Sequence, residues 1–301
     1  GKKMYAMAVR RPDGQIEIVK NNLQTDKKKP AILKWPIVRG VAAFCDSLSM
    51  GYKTLSKSAE ISTGGFENGQ EEETSKFEKF LIKKFGDKLN NIIMSISAVI
   101  AVLFAVALLI LLPTFLGGLF KPLIGDETQW LGVIEGLIRI SIFLLYVFLI
   151  SFVKDIKRVY QYHGAEHKTI NCHEAGAPLT TESIKNFSRL HKRCGTSFLL
   201  IVMVISMIIF LFIRTDNVWI RFGSRIILIP FIAGLSYEVI KWAGRRDNFL
   251  VRLVSFPGLC LQRLTTGEPD NYQIETAVAA LNAVLENDIE KPETKEPQAE
   301  Q

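Results

Sequence analysis

The chain has 301 residues, 48% of them hydrophobic, and a net charge of +7 from 37 Lys and Arg against 30 Asp and Glu. The apolar residues are gathered into long uncharged runs, which excludes an intrinsically disordered chain and argues against an ordinary soluble domain. Four scattered cysteines make no regular disulfide framework, and no apolar signal core is visible in the opening GKKMYAMAVRRPDG.

Residues 4–20 alternate about a turn at Pro12-Asp13-Gly14, the pattern of a β-hairpin. A basic loop follows at residues 27–30. Residues 36–56 have helical periodicity, with Val38, Ala42, Cys45, Leu48 and Tyr52 along one side. Residues 59–75 are rich in Gly, Glu, Ser and Thr and read as a flexible linker. Residues 76–91 read as an amphipathic helix leading to a membrane. This whole stretch, residues 1–91, is expected to form an N-terminal region outside the bilayer.

Four transmembrane spans are predicted, at residues 92–115, 131–153, 197–213 and 225–242. Each approaches the roughly 20 apolar residues a bilayer core requires, the last two at the short end. The expected fold is therefore mainly α: a polytopic helical membrane protein with a cytoplasmic cap that includes the hairpin. Lys and Arg crowd the segment before the first span, the loop at residues 154–196, and the segment after the fourth. By the positive-inside rule both termini and that loop are cytoplasmic. The location expected is the plasma membrane of a bacterial cell. Thiols on that side stay reduced, which favours metal ligation over disulfides.

Charges inside the spans need partners. Glu135 and Arg139 are one helical turn apart in the second span, and an intrahelical ion pair is expected. Gly132 and Gly136 give the same helix a small face that another helix can approach. Glu238 lies near the cytoplasmic end of the fourth span, where Lys241 or a metal ion would balance it. Beyond it, residues 248–264 read as an interfacial or re-entrant segment within the region 243–285. Residues 272–285 have helical spacing through Ile274, Val278, Leu281 and Leu285, and residues 286–301 are expected to be disordered.

The chemistry gathers in the loop at residues 154–196. It contains every histidine of the chain, His163, His167, His173 and His191, together with Cys172 and Cys194. Tyr162-His163-Gly164-Ala165-Glu166-His167 reads H-x-x-E-H. On a helix this sets two imidazoles on one face, able to share a metal ion. Two zinc sites can be built from these residues. In a catalytic site His163, His167 and the distant Glu238 are the ligands, one position stays open, and Glu166 is the general base, the inverted zincin arrangement. In a structural site Cys172, His191 and Cys194 join one or both of these histidines and close the tetrahedron.

Several segments resemble one family. They are Arg10-Arg11-Pro12-Asp13-Gly14, Arg39-Gly40 with Asp46-Ser47-Leu48, Glu135-Gly136-Leu137-Ile138-Arg139, and the H-x-x-E-H stretch through Thr169. His191-Lys192-Arg193-Cys194-Gly195-Thr196-Ser197, Gly234-Leu235-Ser236-Tyr237-Glu238-Val239-Ile240, and Pro257-Gly258 followed by Leu264-Thr265-Thr266-Gly267-Glu268-Pro269-Asp270 complete the set. Together they are similar to the YqhQ family of bacterial membrane proteins. The resemblance implies an integral membrane protein with a metal-dependent activity, and it implies no substrate. Members carry a Gly-rich motif ending in Met-Arg-Gly, of which Gly1 alone is present, so a preceding segment is expected. Members also have Pro after the equivalent of His191, where this chain has Lys192.

Two functions follow as expectations. One is a zinc-dependent membrane hydrolase, such as a peptidase. The other is a non-catalytic membrane factor whose metal fixes the cytoplasmic cap. Its basic surface would recruit a ribosome, a translocation or insertion machine, or anionic lipid. Besides the lipid bilayer, a further copy of the chain is a candidate partner. The discriminating feature is an open coordination position beside Glu166, as against four protein ligands.

Overall fold

The computed structural model describes residues 4–22, 30, 33, 35–62, 89–124, 128–192, 194–213, 215, 217–243 and 248–289. The basic loop at 27–29, most of the expected linker and amphipathic helix (63–88), Arg193, and residues 290–301 of the tail lie outside them. The molecule is mainly helical, with one two-stranded antiparallel sheet.

The strands are β1 (Met4–Arg10) and β2 (Ile16–Asn22), in register from Met4 opposite Asn22 to Arg10 opposite Ile16. Gly14 takes a φ of +86° in the turn, a conformation that favours glycine. Helix α1 (Val38–Ser62) covers the predicted helix and runs into the first residues of the predicted linker.

The apolar runs become α2 (Leu89–Val106), a π turn (Ala107–Leu111), α3 (Leu112–Gly118), a short α4 (Lys121–Ile124) and α5 (Thr128–Ile150). The polar stretch that follows is not a loop. It is α6 (Lys154–Glu174), then a single turn, α7 (Thr181–Lys185). Next come α8 (Thr196–Phe210), α9 (Val218–Ala243), α10 (Phe249–Thr265) and α11 (Asn271–Ile289). The segment expected to be interfacial or re-entrant is one continuous helix, α10. Helix α11 begins at a reciprocal cap, in which Asp270 accepts from the Gln273 amide at 2.8 Å and Gln273 accepts from the Asp270 amide at 2.9 Å. It extends four residues past the predicted end, into the stretch expected to be disordered.

Three helical segments among the described residues are long and apolar enough to cross a membrane: Ser95–Gly118, Trp130–Ile150 and Trp219–Ala243. The expected third span is a correction. Its apolar helix, Phe198–Phe210, is too short to qualify, because the chain leaves the helix at Leu211. At 1.5 Å per residue it is about 20 Å long, short of a ~30 Å hydrocarbon core. It still runs antiparallel to most of α5. The Phe210 backbone lies against Gly132 and the Met207 side chain against Gly136. At the other end Leu200 and Met203 cluster with Phe143, Val147 and Leu261. The small face at Gly132 and Gly136 therefore takes α8.

The two ends of this bundle carry different chemistry. At the end where α5 begins, Glu135, Arg139, Arg221 and Arg225 are buried. At the end where α5 leads into α6 lie the histidines. Helix α11 packs there against α6 and β1, and Arg10 joins the hairpin to it through Glu275 at 2.9 Å.

Candidate metal centre

Helix α6 presents one buried face, made by Gly164, Ala165, His167, Lys168, Thr169 and Cys172. It ends in a Schellman motif. Gly176 takes a φ of +68°, its amide donates to the His173 carbonyl at 3.0 Å, and the Ala177 amide donates to the Cys172 carbonyl at 3.1 Å. The chain can then turn back along the helix, which brings Arg189 and Cys194 beside His163 and His167.

Three side chains meet there. One ligand atom each from His163, His167 and Cys194 lies within 4.8 Å of the others. His163 Nε2 is 3.2 Å from Cys194 Sγ, and the two imidazole rings are 4.4 Å apart at their centroids. Two ligands of one tetrahedral zinc ion stand about 3.5 Å apart, so small closures bring all three to a shared ion.

The other nitrogen of each ring is already engaged. His163 Nδ1 lies 2.9 Å from the Thr265 carbonyl and His167 Nδ1 lies 2.6 Å from the Arg189 carbonyl. A carbonyl can only accept, so each Nδ1 carries the proton and each Nε2 keeps its lone pair. Anchoring of this kind fixes the tautomer and ring orientation of metal-ligating histidines.

The main-chain anchors are themselves held. A Cβ on Gly164 would stand 2.0 Å from the Gly267 oxygen, so only glycine lets α6 approach the turn that follows Thr265, the last residue of α10. The Gly267 amide donates to the Tyr160 carbonyl at 2.7 Å. Gln262, fully buried, donates to the His191 carbonyl at 2.9 Å and accepts from the His191 amide at 2.8 Å. Asn171 donates to the carbonyls of Ser188 and Leu190 at 2.7 and 3.1 Å, and Lys168 reaches the Lys185 carbonyl and Glu268, both at 2.9 Å.

Charge is shared between the ligands. Burial pushes the Cys194 thiol up, but hydrogen bonds with His163, His167 and Thr196 outweigh it and bring it from 9.0 down to about 5. Burial works against a proton on His163. The bonds to Cys194 and the Thr265 carbonyl, with the charge of Glu166, prevail and raise its affinity. Each group thus favours the charged form of the other.

Glu166 is exposed on α6. It lines, with His163, Thr169 and Tyr162, a cavity of about 480 Å³ walled by β1 and α11. The Thr169 hydroxyl on that wall is buried and has no hydrogen-bond partner among the described residues.

The other expected ligands are elsewhere. Glu238 is a correction: it forms a two-armed ion pair with Arg39, one arm 2.5 Å long. Gly40 and Gly234 let α1 and α9 approach so closely that a Cβ on Gly40 would meet the Gly234 oxygen at 2.8 Å. That contact brings Arg39 to Glu238. Cys172 is a correction too. It is fully buried in an apolar cluster with Ala165, Ile184 and Ile274, its thiol near the Pro178 carbonyl at 3.5 Å. His191 stands outside the trio, its Nε2 3.4 Å from Glu174 and its ring 5.8 Å from that of His167. His173 is exposed in the last turn of α6.

Nor do Glu135 and Arg139 pair with each other. Glu135 takes Arg221, at 3.1 Å, and Arg225, both from α9. Arg139 donates to the Leu109 carbonyl at 2.7 Å and to the Ser206 hydroxyl at 3.3 Å. A helical partner one turn away is available to Glu135, but the crossing of α9 offers it two guanidinium groups.

Residues 35–287 match the model of a family described as a protein of unknown function, DUF1385. The chain belongs to this family. It is similar to the uncharacterized protein YqhQ of Bacillus subtilis (strain 168), with 37% identity over 286 residues, covering 95% of this chain and 88% of that protein. No solved structure matches. The matched region contains the three converging side chains and every main-chain group that anchors them, while the hairpin lies before it.

Proposed function

We propose that this protein is a multi-pass membrane hydrolase with a zinc site on the cytoplasmic side of the bacterial cell membrane. The observation that carries it is the convergence of His163, His167 and Cys194, with each imidazole's Nδ1 already bound to a main-chain carbonyl. Three protein ligands leave one position of a tetrahedral ion open, as catalytic zinc sites do. Bound there, zinc would supply Lewis acidity toward a carbonyl or a water molecule. Glu166, one residue from His167 and on the wall of the adjoining cavity, serves as the base that takes the proton from attacking water. The cavity holds the substrate.

The membrane part of the reading rests on the three long apolar helices and their exposed faces. Val99, Ile100, Leu103 and Phe104 on α2, and Leu145, Phe148 and Leu149 on α5, are all exposed. Soluble monomers rarely present apolar patches of that size. Helix α10 adds an exposed apolar face at Phe249, Leu250, Leu253 and Phe256 opposite its buried one, suited to the membrane surface. The orientation follows from the Lys and Arg distribution.

A second reading is favoured by His191, whose ring is near enough to His167 to be recruited as a fourth ligand. The site would then be closed and structural, and the protein a non-catalytic factor that recruits a partner at its cytoplasmic face. Metal content and a growth or hydrolysis readout for Glu166→Gln and His191→Ala separate the two. The hydrolase reading expects Glu166→Gln to keep zinc and lose function, and His191→Ala to keep zinc. Full function in Glu166→Gln, with zinc lost in His191→Ala, overturns it in favour of the structural site.

A further inference from the structure

Four charged side chains are buried at the end of the bundle remote from the histidines. Glu135, Arg139, Arg221 and Arg225 are exposed by only 1%, 6%, 8% and 3%. Among the described residues, three buried cations against one buried anion leave a formal charge of +2. Glu135 is shared by Arg221 and Arg225. Among the described residues Arg139 is met by neutral acceptors, the Leu109 carbonyl and the Ser206 hydroxyl. Its guanidinium and that of Arg225 each lie 5.4 Å from the centre of the Phe210 ring. Arginine does not shed its proton. A net positive charge in a low-dielectric interior is costly unless an anion joins it.

A cavity of about 220 Å³ lies against this cluster. Arg139, Arg225 and Ser206 form its polar end, and the rest of the wall is apolar, with Val202, Met203 and Ile232 among the residues. Leu199 and Ile229, also on the wall, are each 45% exposed, so the cavity opens on the outer surface of α8 and α9. A charged end, an apolar body and an opening toward the surrounding medium are the features of an amphiphile site. The short helix α8 forms one lip of the opening.

We propose that this cavity binds an anionic phospholipid, with the phosphate against Arg139 and Arg225 and an acyl chain along the apolar wall. The proposal rests on the membrane reading above, and it concerns the bundle end away from the zinc site. The lipid supplies negative charge beside Arg139, which has none among its described partners. The acyl chain then fills the apolar space between α8 and α9.

The test uses the full chain, purified in a neutral detergent and examined by native mass spectrometry. The probes are phosphatidylglycerol, phosphatidylcholine with the same acyl chains, and inorganic phosphate. Wild type should retain phosphatidylglycerol at least about tenfold more strongly than phosphatidylcholine, the value of one charge-assisted contact. Arg139→Gln should remove that preference. Val202→Trp, which fills the apolar body and leaves the arginines in place, should remove lipid retention. Equal retention of the two lipids by wild type, or displacement of phosphatidylglycerol by inorganic phosphate at equal concentration, overturns the proposal. So does unchanged retention in Val202→Trp, the variant that keeps the assay decisive if Arg139→Gln fails to fold. The membrane reading fails separately, if alkaline extraction releases the protein from cell membranes.

Discussion

Gly164→Ala tests whether the approach of α6 to the turn after α10 positions the metal ligands. The added Cβ would stand 2.0 Å from the Gly267 oxygen, and contacts below 3.0 Å are essentially never seen, so backbone must move by about 1 Å. Nothing flexible can absorb it, because the obstacle is a carbonyl whose own amide is bound to Tyr160. A shift of that size opens the 2.9 Å contact between His163 and Thr265 beyond hydrogen-bond range. Overpacking costs up to about 3 kcal/mol and the lost bond about 1, while alanine recovers about 1 through helix propensity. The net expectation is roughly 3 kcal/mol of destabilisation and a 10–100-fold loss of zinc affinity, the usual effect of losing an outer-shell partner. Chemical unfolding in detergent measures the first, and competition with a chelator the second. Gly51→Ala is the control, since a Cβ there meets nothing within 4 Å. If Gly164→Ala unfolds and binds zinc as wild type does, the close approach is not what positions His163.

Glu135→Gln should destabilise the bundle by roughly 3 kcal/mol by leaving Arg221 and Arg225 without their carboxylate. Adding Arg225→Met should recover part of this in the same unfolding assay, and adding Arg139→Met should not; the reverse order would restore the intrahelical pair. In chelator-treated protein carrying Cys45→Ser and Cys260→Ser, iodoacetamide should alkylate Cys194 with a rate that rises through pH about 5 and levels off above it. The thiolate is the reactive form, and it appears as pH climbs past the lowered pKa. A midpoint near 9.0, the ordinary thiol value, would mean that the hydrogen bonds with the imidazoles are not formed. Glu238→Gln should leave zinc stoichiometry unchanged, because that carboxylate is held by Arg39. Loss of metal in this variant would put Glu238 back among the ligands.

The local elements were legible because short-range patterns dictate them. Pro12-Asp13-Gly14 between alternating strands makes a hairpin wherever it occurs, and runs of uncharged apolar residues make helices of readable length. The H-x-x-E-H spacing likewise sets His163 and His167 on one helix face before any fold is known. Selection among distant partners was not legible. By type and membrane side Glu238 is the favoured third ligand, with Cys172, His191 and Cys194 as alternatives, and it is the turn at Gly176 and the clamps of Gln262 and Asn171 that bring Cys194 to the pair. The glycines that decide such meetings carry no chemistry of their own. Gly40 against Gly234 assigns Glu238 to Arg39, and Gly164 against Gly267 sets the carbonyl that turns His163 toward Cys194. Glu135 shows the same limit, since its partner one turn away loses to two arginines that lie 86 and 90 positions further on. Periodicity fixes which face of a helix a side chain occupies. Which other face it meets depends on backbone approach distances, and these exist only once the helices have packed.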